Sequence, residues 1–200
     1  MSRRPKPSSS DAALTQVNTP VRQPRHDALP LLPMPEDTPM SRLTWSDALL
    51  LGLQAMDDTH REFVDLLAQV DAATDDHLVA AWAALVEHTD HHFSAEDDWM
   101  RRTGFAPGNC HSTQHAVVLS VLRQGLAQGR EGRPEVIRQL AGELAAWFPQ
   151  HAQTVDAALA QHLRHAGFDT ATGTVALPSA LPAAAIHGCG SATCAPAEAG

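Results

Sequence analysis

The chain has 200 residues, 44% hydrophobic and 18% charged, with a net charge of −9 and no Tyr. That length holds one ordinary domain with tails. The acidic balance argues against a nucleic-acid partner, and no run approaches the ~18 apolar residues that a membrane span needs. Histidine stands out, with 12 beside one Lys and 13 Arg. Three cysteines, Cys110, Cys189 and Cys194, are too few for a disulfide scaffold, and the odd count reads as free thiols in a reducing compartment. The basic N-terminus has no apolar run behind it and is not a secretory signal. The cytoplasm is the expected location.

Residues 1–40 hold eight of the 14 prolines and lack helical periodicity, which predicts a disordered arm. Residues 169–200 are rich in Ala, Gly and Pro and read as a second disordered tail. Between them, residues 41–168 carry nine Arg against 17 Asp and Glu, net −8, and nearly all the large hydrophobes. This is the domain.

Its pattern is helical throughout. Leu49, Leu53, Met56, His60, Phe63, Leu67 and Val70 alternate by four and three, one stripe of a helix that Thr44 or Ser46 can cap. A second helix is expected from about Asp75 to Arg102, with Leu78, Leu85, His92, Glu96 and Trp99 inward and Gly104 closing it. After a turn over 105–109, a third helix runs from Cys110 to about Gln128, with His111, His115, Val118 and Leu122 inward. A loop over 129–133 leads to Pro134, suited to the first turn of a fourth helix. That helix carries Ile137, Leu140, Leu144, Trp147, His151, Val155 and Leu159 inward, to about His165. The expected fold class is all-α, an up-down-up-down antiparallel four-helix bundle with disordered N- and C-terminal tails.

Six polar groups fall on stripes that should be buried: His60, His92, Glu96, His111, His115 and His151. One buried imidazole finds a partner easily. Five of them, drawn from all four helices and joined by a carboxylate, do not satisfy one another. A cation in the core does, since neutral imidazole and carboxylate are its ligands. His92/Glu96 and His111/His115 are i, i+4 pairs, each facing one way. The set exceeds the four ligands of a tetrahedral zinc site, which suggests two metals, with iron or manganese suited to these donors. Motifs for other chemistries are missing. There is no His-Glu-x-x-His and no Glu-x-x-His, and the stretch ending Cys110-His111 lacks the first Cys of a c-type haem site.

Four fragments together resemble the hemerythrin domain family: Met56-Asp57-Asp58-Thr59-His60, His92-Phe93-Ser94-Ala95-Glu96, His111-Ser112-Thr113-Gln114-His115, and Trp147-Phe148-Pro149-Gln150-His151 followed by Asp156. The resemblance spans roughly residues 41–168. It implies a non-haem di-iron site. One iron would be held by His111, His115 and His151, the other by His60 and His92 with an open position. Glu96, Asp156 and a hydroxide or oxide would bridge them. Only the resemblance nominates Asp156, because five residues beyond His151 lies well round an α-helix. It further implies reversible dioxygen binding at the open position, for storage, transport or buffering, with Phe63, Phe93 and Trp147 as apolar pocket walls. The alternatives are an oxygen or redox sensor module read by a signalling partner, and a di-iron enzyme that reduces peroxide or nitric oxide and needs an electron donor. A carrier without catalytic residues is favoured, because no output domain is recognisable.

Some residues depart from the pattern or lie beside it. Pro149 should bend or restart the fourth helix next to His151. Asp97 stands where the family often has a second Glu. His88 is placed to support His92, and His91 to face solvent. His162 and His165 read as structural, near a helix C-terminus. Cys110 reads as an inert thiol, and His187, Cys189 and Cys194 as incidental.

Overall fold

The computed structural model describes residues 43–105 and 110–183. The readings made for residues 1–40, for most of the 105–109 turn, and for His187, Cys189 and Cys194 lie outside the described residues.

The expected bundle is present. Helix α1 is Gln54–Ala72, α2 is Asp75–Thr103, α3 is Cys110–Arg130 and α4 is Pro134–His151, which continues through Ala152–Asp156 into α5, Ala157–Ala166. Neighbours in sequence pack side by side, and α1 and α2 also meet α4. Among the described residues no helix is long and apolar enough to cross a membrane.

Helix ends follow local chemistry. Asp75 and Asp76 open α2 and Arg101 and Arg102 close it, each charge complementing the helix dipole. Gly104 then takes a left-handed φ of 69°, which a side chain would oppose. Pro134 opens α4. Helix α3 runs to Arg130, past the expected boundary, so Gly129 is helical. Gly129 is also where α4 comes close, because a Cβ there would lie 2.4 Å from Ile137 Cδ1.

The first helix starts later than its apolar stripe suggests. Neither Thr44 nor Ser46 caps it; Ser46 precedes a single 3-10 turn, Asp47–Leu49, without a side-chain bond. Gly52 then turns the chain at φ 71°. The Asp57 carboxylate accepts the amides of Leu51 (2.7 Å) and Gly52 (3.1 Å), fixing the entry to α1. Leu49 is still buried, but it arrives from this turn and not along a helix.

Pro149 sits inside α4 without ending it. The change comes just afterwards: Ala152–Asp156 form a π-turn, and the amide of Ala157 reaches the carbonyl of Ala152. The expected single helix is therefore α4 and α5 in two registers.

The apolar core falls into two clusters. The larger contains Phe63, Leu67, Leu78, Trp82, Leu85, Leu122, Ile137, Leu144 and Phe148. Trp82 is fully buried and donates its indole N–H to the Leu122 carbonyl at 3.0 Å. The smaller contains Met56, Met100, Phe105, Leu159, Leu163 and Phe168. Met100 takes the core place expected of Trp99, which is half-buried. Val118, Leu140 and Trp147, all expected inward, are half-buried too.

The C-terminal tail expected from 169 has structure as far as the described residues run. Phe168–Asp169 pairs with Thr174–Val175 as β1 and β2 of a small antiparallel hairpin, and a 3-10 turn follows at Pro178–Ala180. Amides of Ala176 and Leu177 bond the carbonyls of Gly167 and Ala166. Phe168 anchors the hairpin in the smaller cluster. Short apolar side chains beside one Phe gave no periodic signal for this. Phe168→Ala is expected to cost about 3 kcal/mol of unfolding free energy, as for a buried Phe, measured by urea denaturation. A loss near zero would show that the hairpin contributes nothing to the fold.

Candidate metal centre

Each helix delivers its polar residues inward for the reason that it delivers its apolar ones. His60 follows Met56 and precedes Phe63 and Val64 on the buried face of α1. His92 and Glu96 continue the buried row of α2 through Leu85 and Thr89. His111 and His115 sit one turn apart at the start of α3, ahead of Leu119 and Leu122. His151 ends α4. All five imidazoles and both carboxylates are buried, in a polar layer between the two apolar clusters.

The π-turn places the seventh member. In an α-helix, residue i+5 points well away from residue i. An i→i+5 turn holds more residues per revolution, so Asp156 comes round beside His151, with His151 Nε2 3.1 Å from Asp156 Oδ1. The fourth helix changes register where the site requires it.

The seven side chains form two sets whose ligand atoms lie within 4.8 Å of one another: His111, His115, His151 and Asp156, and His60, His92, Glu96 and Asp156. Both carboxylates face both ways. Glu96 turns Oε1 to His92 (3.1 Å) and Oε2 to His111 and His115 (both 3.3 Å). Asp156 turns Oδ2 to His60 (3.3 Å) and Oδ1 to His111 (2.9 Å) and His151.

Most of these approaches are not hydrogen bonds. Nε2 of His60, His111, His115 and His151, with Glu96 Oε2 and both Asp156 oxygens, are buried without a hydrogen-bond partner. Buried polar atoms left this way are costly and rare. Polar atoms that converge without hydrogen-bond geometry suit cations, and the donor set of imidazole and carboxylate fits a divalent transition metal.

Electrostatics agrees. Burial works against both carboxylates, and at Glu96 so does the charge of Asp156. The imidazoles outweigh this, chiefly His92, His111 and His115 around Glu96 and His151, His111 and His60 around Asp156, so both carboxyls lie well below the usual range. Burial lowers His111, but Asp156 and Glu96 pull it up to about 10. His60 and His115 are raised against burial by Asp156 and by Asp97 with Glu96, respectively; at His151 burial wins and the shift is downward. Without metal, His111 holds a proton where a cation would stand.

The expected pocket residues divide. Phe93 stacks on His115 at 3.9 Å between centroids and meets His92 at 5.3 Å. Trp147 stacks on His151 at 4.2 Å. Phe63 has no ring contact with a site histidine; it stacks at 4.4 Å on Phe148, whose edge meets His60 at 5.1 Å. Phe148 was not among the expected pocket walls, although it lies three residues before His151 and so on the same helix face. Asp97 and Gln114 were not expected as partners. Asp97 Oδ1 lies 3.1 Å from His115 Nδ1, and Gln114 Oε1 lies 3.1 Å from His151 Nδ1.

His88 does not bond His92. Its Nε2 lies 3.1 Å from the Thr59 carbonyl, and its ring is 6.4 Å from that of His92. His91 is exposed as expected. His162 bonds the Thr103 carbonyl and meets the Phe105 ring, a structural role. Cys110 corrects the expectation of an inert thiol: it is disulfide-bonded. Cys110 is therefore not a free thiol and gives no support to a reducing compartment.

The comparisons with known proteins point one way. The hemerythrin HHE cation binding domain matches residues 51–163. A bacteriohemerythrin of Ralstonia nicotianae is 35% identical over 130 residues, 65% of this chain and 95% of that protein. Bacteriohemerythrins of Pseudomonas aeruginosa and Stenotrophomonas maltophilia are 27% and 24% identical, over 63% and 62% of this chain and 84% of each relative. No solved structure gives a significant match.

Because His111 is raised to about 10, metal must displace a proton at neutral pH. Adding divalent metal to the metal-free protein at pH 7 is expected to release protons, read with an indicator dye in weak buffer. His111→Gln should reduce the release by about one proton per chain. The same shift gives the metal-free protein stability that is complete below pH 6.5 and lost as pH rises through about 10. Metal uptake without proton release would contradict this protonation state.

Proposed function

The chain belongs to the hemerythrin family, and from that footing we propose that its buried cluster holds two non-haem iron ions and binds dioxygen reversibly. The observation that carries the reading is the double-facing pair of carboxylates. Glu96 and Asp156 each give one oxygen to either histidine set, as ligands bridging two cations would.

His111, His115 and His151 would hold one iron and His60 and His92 the other, with Glu96 and Asp156 shared between them. The second set has one imidazole fewer, which leaves room there for an exogenous ligand. Iron(II), when bound, supplies the electrons for dioxygen binding. The chain's own residues set the conditions. The two buried carboxylates neutralise half of the charge of two iron(II) ions, which lowers the cost of charge in a low-dielectric core. Phe93, Phe148 and Trp147 lie against the ligand imidazoles and exclude the water and protons that would drive the site to irreversible oxidation. Phe63 supports that wall through Phe148.

A carrier needs no further catalytic residue and no docking site for an electron donor, so storage, delivery or buffering of dioxygen is the favoured role. The test is optical. The iron(II)-loaded chain is expected to be nearly colourless, to gain visible charge-transfer absorption in air, and to lose it under argon over repeated cycles. A single irreversible conversion, or no response to air, would overturn the reading.

A further inference from the structure

The two histidine sets differ in what stands behind them. In the set His111, His115, His151 and Asp156, two imidazoles are tied at the nitrogen facing away from the cluster: His115 Nδ1–H to Asp97 Oδ1 and His151 Nδ1–H to Gln114 Oε1, both at 3.1 Å. Donation from Nδ1 fixes the tautomer, so that Nε2 presents its lone pair inward. In the set His60, His92, Glu96 and Asp156, neither imidazole has such a tie. Nδ1 of His60 and of His92 is buried and has no hydrogen-bond partner. His88, whose ring lies 6.4 Å from that of His92, bonds the Thr59 carbonyl.

An imidazole braced by an acceptor is oriented before the metal arrives and is a stronger base. Losing the brace costs about 10–100-fold in metal affinity in characterised sites. A carboxylate acceptor adds charge to that effect.

We infer that the two metal positions are unequal by construction. The position at His111, His115 and His151 fills first and empties last, with Asp97 as the positioning residue that sets its hold through His115. Asp97 does not belong to either ligand set, and its side chain is 42% exposed, so it can be changed without opening the core. This inference rests on the two-metal reading above.

The test uses the full chain, freed of metal, loaded anaerobically with two equivalents of cobalt(II) and chased with excess chelator while the cobalt absorption is followed. The wild type should lose cobalt in two phases of equal amplitude with rates at least ~10-fold apart. Asp97→Asn keeps the size and removes the charge. It should speed the slow phase about 10-fold and leave the fast phase unchanged. Gln114→Ala should act on the same phase, and Asp97→Glu should restore most of the wild-type rate. Loss of cobalt from the wild type in a single phase, or an Asp97→Asn effect on the fast phase or equally on both, would overturn the inference with the two-metal reading intact. A wild type that never binds two cobalt ions would overturn that reading itself.

Discussion

Two carboxylates with no solvent exposure, Glu96 and Asp156, stand among five imidazoles, and the rest of the fold is arranged around the difficulty of keeping them there. Burying an ionised carboxylate costs several kcal/mol unless opposite charge and well-aimed donors surround it. Here each oxygen faces imidazole nitrogens from one or more helices, at 2.9–3.3 Å. Most of those contacts do not have hydrogen-bond geometry. The layer is therefore poorly satisfied by protein alone and fully intelligible with cations in it.

The same layer explains how the core is divided. One apolar cluster lies on the side of Phe63, Trp82 and Ile137, the other on the side of Met56, Met100 and Leu163. The hairpin at Phe168–Val175 and the Asp57-fixed turn before α1 both belong to the second side, with Phe168, Val175 and Leu51 packed there. Closing that end gives the polar layer a dry boundary on each face. Phe93, Phe148 and Trp147 then line it directly, and low dielectric makes each electrostatic contact inside stronger.

The sequence carried much of this because the helices are regular where most ligands sit. His60, His92, Glu96, His111 and His115 lie on α-helical rows with buried hydrophobes, and a period of 3.6 finds them. Asp156 was invisible to that period. The π-turn at Ala152–Asp156 changes the residues per revolution, so the spacing that disqualified Asp156 on an α-helix is the one that a π-turn needs. Asp97 and Gln114 were hidden differently. They are partly exposed polar residues one position from Glu96 and His115, and only the packing of α2, α3 and α4 shows which imidazole each one meets. The start of α1 was misplaced because the apolar stripe runs on through Leu49 and Leu53, while Gly52 and the Asp57 carboxylate decide where the helix can begin. The hairpin lacked a pattern because its strands are two residues long.

Anomalous X-ray diffraction at the iron edge from crystals of the iron-loaded chain tests the central claim most directly. The account predicts two iron peaks per chain, both between Glu96 and Asp156, one against His111, His115 and His151 and the other against His60 and His92. A single peak, peaks away from these side chains, or a filled site that scatters as zinc and not as iron would contradict it.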